Sequence, residues 1–520
     1  MPQSATSPHY YFPPADKHPL ALDCQVCIYS GNSGGVIAAI AAKRRGLKVI
    51  LLEPGRHLGG LTAGGLGYTD IGNKQAIGGL SRKFYRRVGK KYGLEEHWRF
   101  EPHVAESVYS EWLAEEGITC HFGSFLDKVE LQDGRIHRIT TENGISVTAK
   151  FYIDASYEGD LMAKAGVCYT VGREANSQYG ESWNGSQVLN EHQFQFSVDP
   201  YRIEGDPSSG LLPGIDPGPH IAGTGDKRVQ AYNFRLCLTD RAKNRIPFTK
   251  PEGYDRSSYE LLARYCRAGF TPEFNKFDAL INGKVDMNNH GAVSTDYIGM
   301  NHEFPEADYR KREEIFQTHV RWIKGLLWFW TQDKDVPLAF RKKISKWGWA
   351  KDEFVDMGGF PHAIYIREAR RLVGDVVMTE HHCMGTEKVG DSVGLAAYTM
   401  DSHNCRRIVV DGAVKNEGDV QVHSGPPYPV SYRAIIPRRG ECTNLFVPFA
   451  LSASHIAFGS IRMEPVFMIL SESAAESAAL AIEQDLDVQD VPYEQLRKRL
   501  LKAKQILDPI PAAKDRQTGE

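Results

Sequence analysis

The run DCQVCIYSGNSGGVIAAIAAKRRGLKVILLEPGRHLGGLT, Asp23 to Thr62, leaves few folds open to this chain. Cys24 to Tyr29 is short and mostly apolar, the pattern of a strand buried in a parallel sheet. Ser30 to Gly35 reads as a tight turn. Val36 to Arg45, rich in Ala and Ile, reads as a helix able to lie close on a sheet, and Gly46 ends it. Lys48 to Leu52 is a second strand, closed by Glu53. In such a unit the turn N–H groups and the helix N-terminus hold a pyrophosphate, and a carboxylate after the second strand accepts hydrogen bonds from a ribose. Glu53 stands about twenty residues beyond the turn, the spacing that carboxylate needs. The glycine fingerprint G-x-G-x-x-G is degraded. It falls on Ser30-x-Asn32-x-x-Gly35, so only the third glycine is in place, although Gly31 and Gly34 keep the turn small. The strand–turn–helix–strand–Glu context implies a dinucleotide site made by Ser30, Gly31, Asn32, Ser33, Gly34, Gly35, Glu53 and Pro54.

The next residues select the dinucleotide. Arg56 to Gly65 is a second glycine loop, with His57, Gly59, Gly60, Leu61 and Thr62 at its centre. A nicotinamide enzyme has no need of it. An extended FAD does, because the chain must pass close to its phosphates and ribitol. His57 is a conceivable point of covalent flavin attachment, but it reads as loop structure.

The totals bound the rest. With 520 residues the chain can form two or three domains. Hydrophobic and charged contents of 42% and 24% are ordinary for a soluble globular protein. A net charge of −3 gives no reason to expect nucleic acid or an anionic membrane as partner. The nine cysteines are scattered, and Cys24 and Cys27 fall on the first strand rather than at a helix N-terminus, so they read as core. A reducing compartment follows. MPQSATSPHYYFPPADKHPLALD has neither a basic nor an apolar leader segment, and no apolar run approaches the length of a membrane span. The expectation is a cytoplasmic protein acting on a small-molecule substrate.

Taken in order, residues 1–20 are polar and proline-bearing, a flexible arm. Leu80 to Tyr92 and His103 to Gly117 read as helices. Ile118 to Thr148 alternates in short runs with turns at Asp133-Gly134 and Asn143-Gly144, a small antiparallel sheet. The βαβ rhythm stops between Ser182 and Trp349. Within that region Gln230 to Arg235 alternates like a strand. Lys284 to Gly291 (KVDMNNHG) is a dense polar cluster, suited to a polyhydroxylated substrate or to a self-capped loop. Trp322, Trp328, Trp330, Trp347 and Trp349 read mostly as packing. Arg173-Glu174 is either a surface ion pair or part of the site. Glu380-His381-His382-Cys383 lacks ligand spacing, so no metal is expected.

IYSGNSGGVIAAIAAKRRGLKVILLEP, GRHLGGLTAGGLGYTD and FYIDASYEGDL together resemble the FAD-dependent oxidoreductases of the glutathione-reductase-like class, in the branch often labelled xanthan lyase-like. The resemblance covers about residues 20 to 485. It implies an α/β fold: a Rossmann FAD-binding domain (21–181 and 351–490) with an inserted α+β substrate domain (182–350), then a C-terminal helix and tail (491–520). It implies that the backbone near Val129 meets adenine, and that Asp154, Ala155, Ser156 and Asp160 lie where the chain passes the pyrophosphate. It further implies that the helix started by Pro465 aims its positive end, near Met463, at the flavin, with Arg462 as an oxyanion-type stabiliser. Ser471, Glu472 and Glu476 depart from the family pattern and put the packing of that helix in doubt. The expected reaction is hydride transfer between a CH–OH or CH–NH substrate and the flavin, with His290 or His403, or else His455, as base and Arg433 and Asn288 as substrate holders. Reduction of an unsaturated substrate, a polysaccharide lyase and a non-catalytic flavin-binding protein stand as alternatives.

Overall fold

In a computed structural model, which describes residues 7–509, the first strand β1 (Leu20–Tyr29) forms the centre of a seven-stranded sheet. The helix α1 (Ser33–Arg44) leads from it to β2 (Val49–Leu52), which pairs parallel to β1. Two-residue β3 (Cys120–His121) extends that edge. On the other side lie β4 (Leu126–Gln132), β5 (Arg135–Thr141) and β6 (Ile145–Asp154). The antiparallel sheet read from the turns is therefore no separate unit. It shares β6 with the main sheet, in the order β3-β2-β1-β6-β5-β4. The ten-residue β6 reaches past β5, and its far end takes Leu445–Phe446 as a parallel neighbour. That pairing draws the C-terminal part of the chain onto the N-terminal sheet.

α1 starts at Ser33, three residues before the apolar run suggests. Its cap is Asn32, whose side chain accepts a hydrogen bond from the Gly35 N–H. α1 lies against the closing helix Glu464–Gln484. Its small residues allow the close approach: a Cβ on Gly34 would stand 2.4 Å from Phe449 and from Ser471 Oγ. The closing helix is the only one among the described residues long and apolar enough to cross a membrane, with 94% of that stretch buried inside the protein. It therefore reads as a core helix. Its unusual carboxylates are matched by partners. Glu476 pairs with Arg45 at 2.6 Å, and Glu472 accepts from the Leu80 N–H at 2.8 Å and from Gln505.

The central region folds around a five-stranded antiparallel sheet, with strands Arg245–Pro247, Gly348–Ala350, Leu236–Thr239, Lys284–Met287 and Phe277–Ala279 in that order. Helix Tyr309–Gln332 packs beside it, and Trp322 stacks between Tyr297 and Tyr259. Most of the tryptophan-rich stretch is packing. Gln230 to Arg235 is not a strand: it makes one bridge, Asn233 to Tyr365, and every residue in it is buried. Its alternation separates two buried surroundings, not core from solvent. Arg173 is no surface residue either. It is buried against Glu417 and Asp226, while Glu174 pairs with Arg371.

Lys284 fixes one corner of this sheet. Its ammonium is buried and lies 2.7 Å from Glu101, 2.9 Å from Asp352 and 2.5 Å from Glu353. Glu101, His103 and Glu353 are the only group among the described residues with the spacing to hold a metal, and the lysine already supplies the positive charge there. Lys284→Met strands buried carboxylates, so it is expected to lower unfolding free energy by about 3–5 kcal/mol in denaturant titration.

Candidate functional site

A cleft opens at the carboxyl ends of β1, β2 and β6, where ligands enter folds of this kind. Ser30 stands at the first glycine position of the fingerprint and takes a glycine-like backbone, with φ at +81°. Asn32 stands at the second, where its Nδ2 donates to the Ala155 carbonyl. At the third, Gly35 is obligatory: a Cβ would lie 1.9 Å from the Ser30 carbonyl oxygen. The turn keeps its shape through strain at Ser30 and a side-chain brace at Asn32, neither of which a glycine count detects.

Glu53 lies on the floor of the cleft and accepts the Gly31 and Gly55 N–H groups, both at 2.6 Å. Burial pushes its carboxyl up to about 7, against the pull of those two N–H donors. A ribose diol binds best to the ionised form. Below about pH 7 a proton must leave first, so FAD affinity is expected to fall with decreasing pH and to level off above. The slope approaches about tenfold per pH unit and is lost in Glu53→Gln. Pro54, His57, Gly60, Ser156 and Asp160 also line the cleft. Gly59 and Gly60 have φ of +89° and +53°, and a Cβ on Gly60 would meet Tyr157 Oη at 2.5 Å. Leu61 N–H donates to Tyr157 Oη, and Thr62 Oγ1 donates to Glu464 at 2.8 Å.

Val129 and Asp154 lie off the cleft, and Asp160 lines it but is already ion-paired. Val129 is half-buried against an apolar cluster and does not line the cleft, whereas Phe125 does. Asp154 holds the Ser156 N–H and hydroxyl and the Met162 N–H, so it shapes the loop rather than touching the cleft. Asp160 is locked between Arg312 and Arg370, at 2.7 and 2.9 Å.

Two residues that the sequence did not mark out stand here. His362 lines the cleft with both ring nitrogens buried and unpartnered, and His57 stacks on it at 4.0 Å. Glu464 receives three hydroxyls, from Ser33, Thr62 and Tyr157, beside the N-termini of α1 and the closing helix. Burial raises its carboxyl, and these donors only partly offset that. The glycine passage, Glu53 and the orphaned His362 nitrogens are what an extended, polar-edged FAD requires, so the residues present fit the group.

At the N-terminus of the closing helix, Met463 is the cap and Pro465 lies in the first turn. Arg462 is buried; its Nη1 donates to Tyr365 Oη at 2.7 Å and its Nη2 to Asp401, while its Nε has no partner. Arg462 does not line the substrate-side cavity; it stands behind Tyr365 and Asp401 and positions both.

That second cavity, about 480 Å³, is strongly polar and is walled by Asp70, Arg235, Asn288, His290, Tyr365, Tyr398, Asp401 and His403. It adjoins the second glycine loop. Leu61 and Leu66 pack on Tyr365, and a Cβ on Gly65 would meet the Arg235 carbonyl oxygen at 2.1 Å. His403 Nδ1 donates to Asp296 at 3.0 Å, and its Nε2 stands 3.4 Å from Asp401. Burial pushes the Asp401 carboxyl up, but His403 and Arg462 more than offset this and hold it well below the carboxylate range. His290 is exposed at the rim, its pKa lowered by partial burial and by His192. His192 itself was not marked in the sequence. It sits at 2.9 Å from Asp419 with its ring facing His403, 6.4 Å between centroids. Arg433 is outside this site: it is exposed and pairs with Asp391, so it holds no substrate. His455 is buried between Glu368 and Ser402 and is structural.

The sequence profile of FAD-dependent oxidoreductases matches residues 25–500. No curated protein matches the chain. Among solved structures, a 3-ketosteroid-Δ4-(5α)-dehydrogenase from Rhodococcus jostii RHA1 aligns at 15% identity over 29% of this chain and 51% of its own, with a TM-score of 0.20. An L-amino acid deaminase from Proteus vulgaris aligns at 15% identity over 35% and 56%, with a TM-score of 0.25. A thioredoxin reductase from T. acidophilum aligns at 19% identity over 25% and 34%, with a TM-score of 0.18. The alignments span about half of the first two solved chains, and likenesses this slight say nothing about substrate. The profile match, with a cleft that fits its cofactor, places this chain in the FAD-dependent oxidoreductase family, as an enzyme that uses FAD.

Proposed function

We propose that the enzyme oxidises a small polar molecule at a carbon bearing a hydroxyl or amine, in the polar cavity beside the second glycine loop. The subclass is glutathione-reductase-like, in the branch labelled xanthan lyase-like. When bound, FAD supplies a two-electron acceptor at its N5. The observation that carries this reading is the Asp296–His403 pair facing the cavity. In the neutral ring Asp296 holds the Nδ1–H, so Nε2, the nitrogen 3.4 Å from Asp401, is the one that takes the heteroatom proton. Asp401, kept anionic, then steadies the imidazolium. Asn288 and His290 stand at the cavity wall to bind substrate hydroxyls or amines.

Steady-state kinetics test the division of roles. His290→Ala is expected to raise KM by about tenfold, one hydrogen bond's worth of binding, with kcat nearly unchanged. A His290→Ala variant with normal KM and reduced kcat would reverse the assignment of base and binder.

A further inference from the structure

The segment His9-Tyr10-Tyr11-Phe12 precedes residue 25, where the family match begins, and the sequence reads it as a flexible arm. From residue 7 onward it is not loose. His9, Tyr10 and Phe12 line the cofactor cleft together with Glu53, Arg56 and Phe125. We propose that Pro8–Phe12 is a strap that forms one wall of this cleft and retains FAD by its adenosine half.

The strap is fastened at both sides of the opening. On the inserted region, Glu313 accepts the Tyr10 and Tyr11 N–H groups at 2.7 and 2.9 Å and also meets His9 Nδ1. Gln317 donates to the Pro8 carbonyl at 2.7 Å. On the cofactor-binding side, Tyr10 Oη donates to Glu158 at 2.7 Å and Tyr11 Oη to Glu142 at 2.6 Å. The Arg56 guanidinium lies over the Phe12 ring at 3.8 Å. Tyr11 also sits edge-on to Phe125 and stacks on Tyr309. Five consecutive residues thus span the mouth of the cleft, and each has a defined partner. Glu53 marks this end as the ribose end, so what the strap covers is the adenosine. The Arg56 guanidinium, backed by the Phe12 ring, offers a flat cationic face on which a purine stacks well.

The test uses the yellow holoenzyme and three variants: a deletion of residues 1–14, Phe12→Ala and Tyr10→Phe. FAD release is followed by the recovery of free-flavin fluorescence on dilution, and ADP binding to the apoprotein by calorimetry. Circular dichroism checks folding. Release is expected to be about tenfold faster or more in the deletion and several-fold faster in Phe12→Ala, with ADP affinity falling in parallel. Should the deletion fail to fold, the two point variants carry the comparison. Unchanged release in the folded variants overturns the proposal. So does weaker FAD with unchanged ADP, which would place the effect away from the adenosine. Tighter FAD binding after truncation would also overturn it, since the arm would then be a competitor.

Discussion

His403→Ala is expected to lose about 10²–10⁴-fold in kcat while keeping its FAD, its fold and nearly its full substrate affinity. The size follows from the role: a positioned base lowers the barrier to heteroatom deprotonation only while the reaction proceeds, so KM is spared. The ring is held from two sides, by Asp296 at 3.0 Å and Asp401 at 3.4 Å. Asp296→Asn should therefore reproduce much of the loss, because the amide no longer fixes the Nδ1–H tautomer. Flavin absorbance per protein separates this from cofactor loss. An absorbance that falls with activity would place His403 in cofactor binding instead.

Arg462→Met is expected to be the next most damaging change, and in two measurements at once. The guanidinium is buried and joins Tyr365 to Asp401. Removing it leaves Asp401 short of a buried counter-charge, at a cost of about 3–5 kcal/mol in stability. It also frees two side chains of the substrate cavity, for which a kcat loss of about 10²-fold is expected. Asp401 loses one of the two groups that hold its carboxyl low, so the acid limb of the kcat profile should move to higher pH. Arg462→Lys restores charge but not the fork that reaches both partners, so it should recover stability more than rate. An unshifted acid limb in Arg462→Met would show that Asp401 does not depend on it.

The βαβ unit was legible because its period, its length and the position of Glu53 each follow from local physics. The substrate side was less legible. His403 could be named from the chain, yet its partner Asp296 lies 107 positions away and is brought near by the fold alone. Arg433 failed for the same reason: the family resemblance of the residues around it put it near the site, but Asp391 holds it at the surface. Val129 was carried over from the resemblance, which does not say how this chain seats its own strand against the cleft. The strap looked loose because its composition is polar and proline-bearing, and its partners Glu313 and Gln317 lie about 300 residues on. The strained Ser30 shows a further limit, since a motif search sees side chains and the turn requires a backbone shape.

The most direct test of the central claim is anaerobic mixing of the holoenzyme with a panel of sugars, polyols and amines while the visible flavin band is recorded. The account predicts that at least one hydroxyl- or amine-bearing compound bleaches the flavin rapidly, that His403→Ala abolishes this bleaching, and that dithionite still reduces both proteins. The contrary result is a flavin that none of these compounds bleaches but whose dithionite-reduced form is promptly reoxidised by an unsaturated compound.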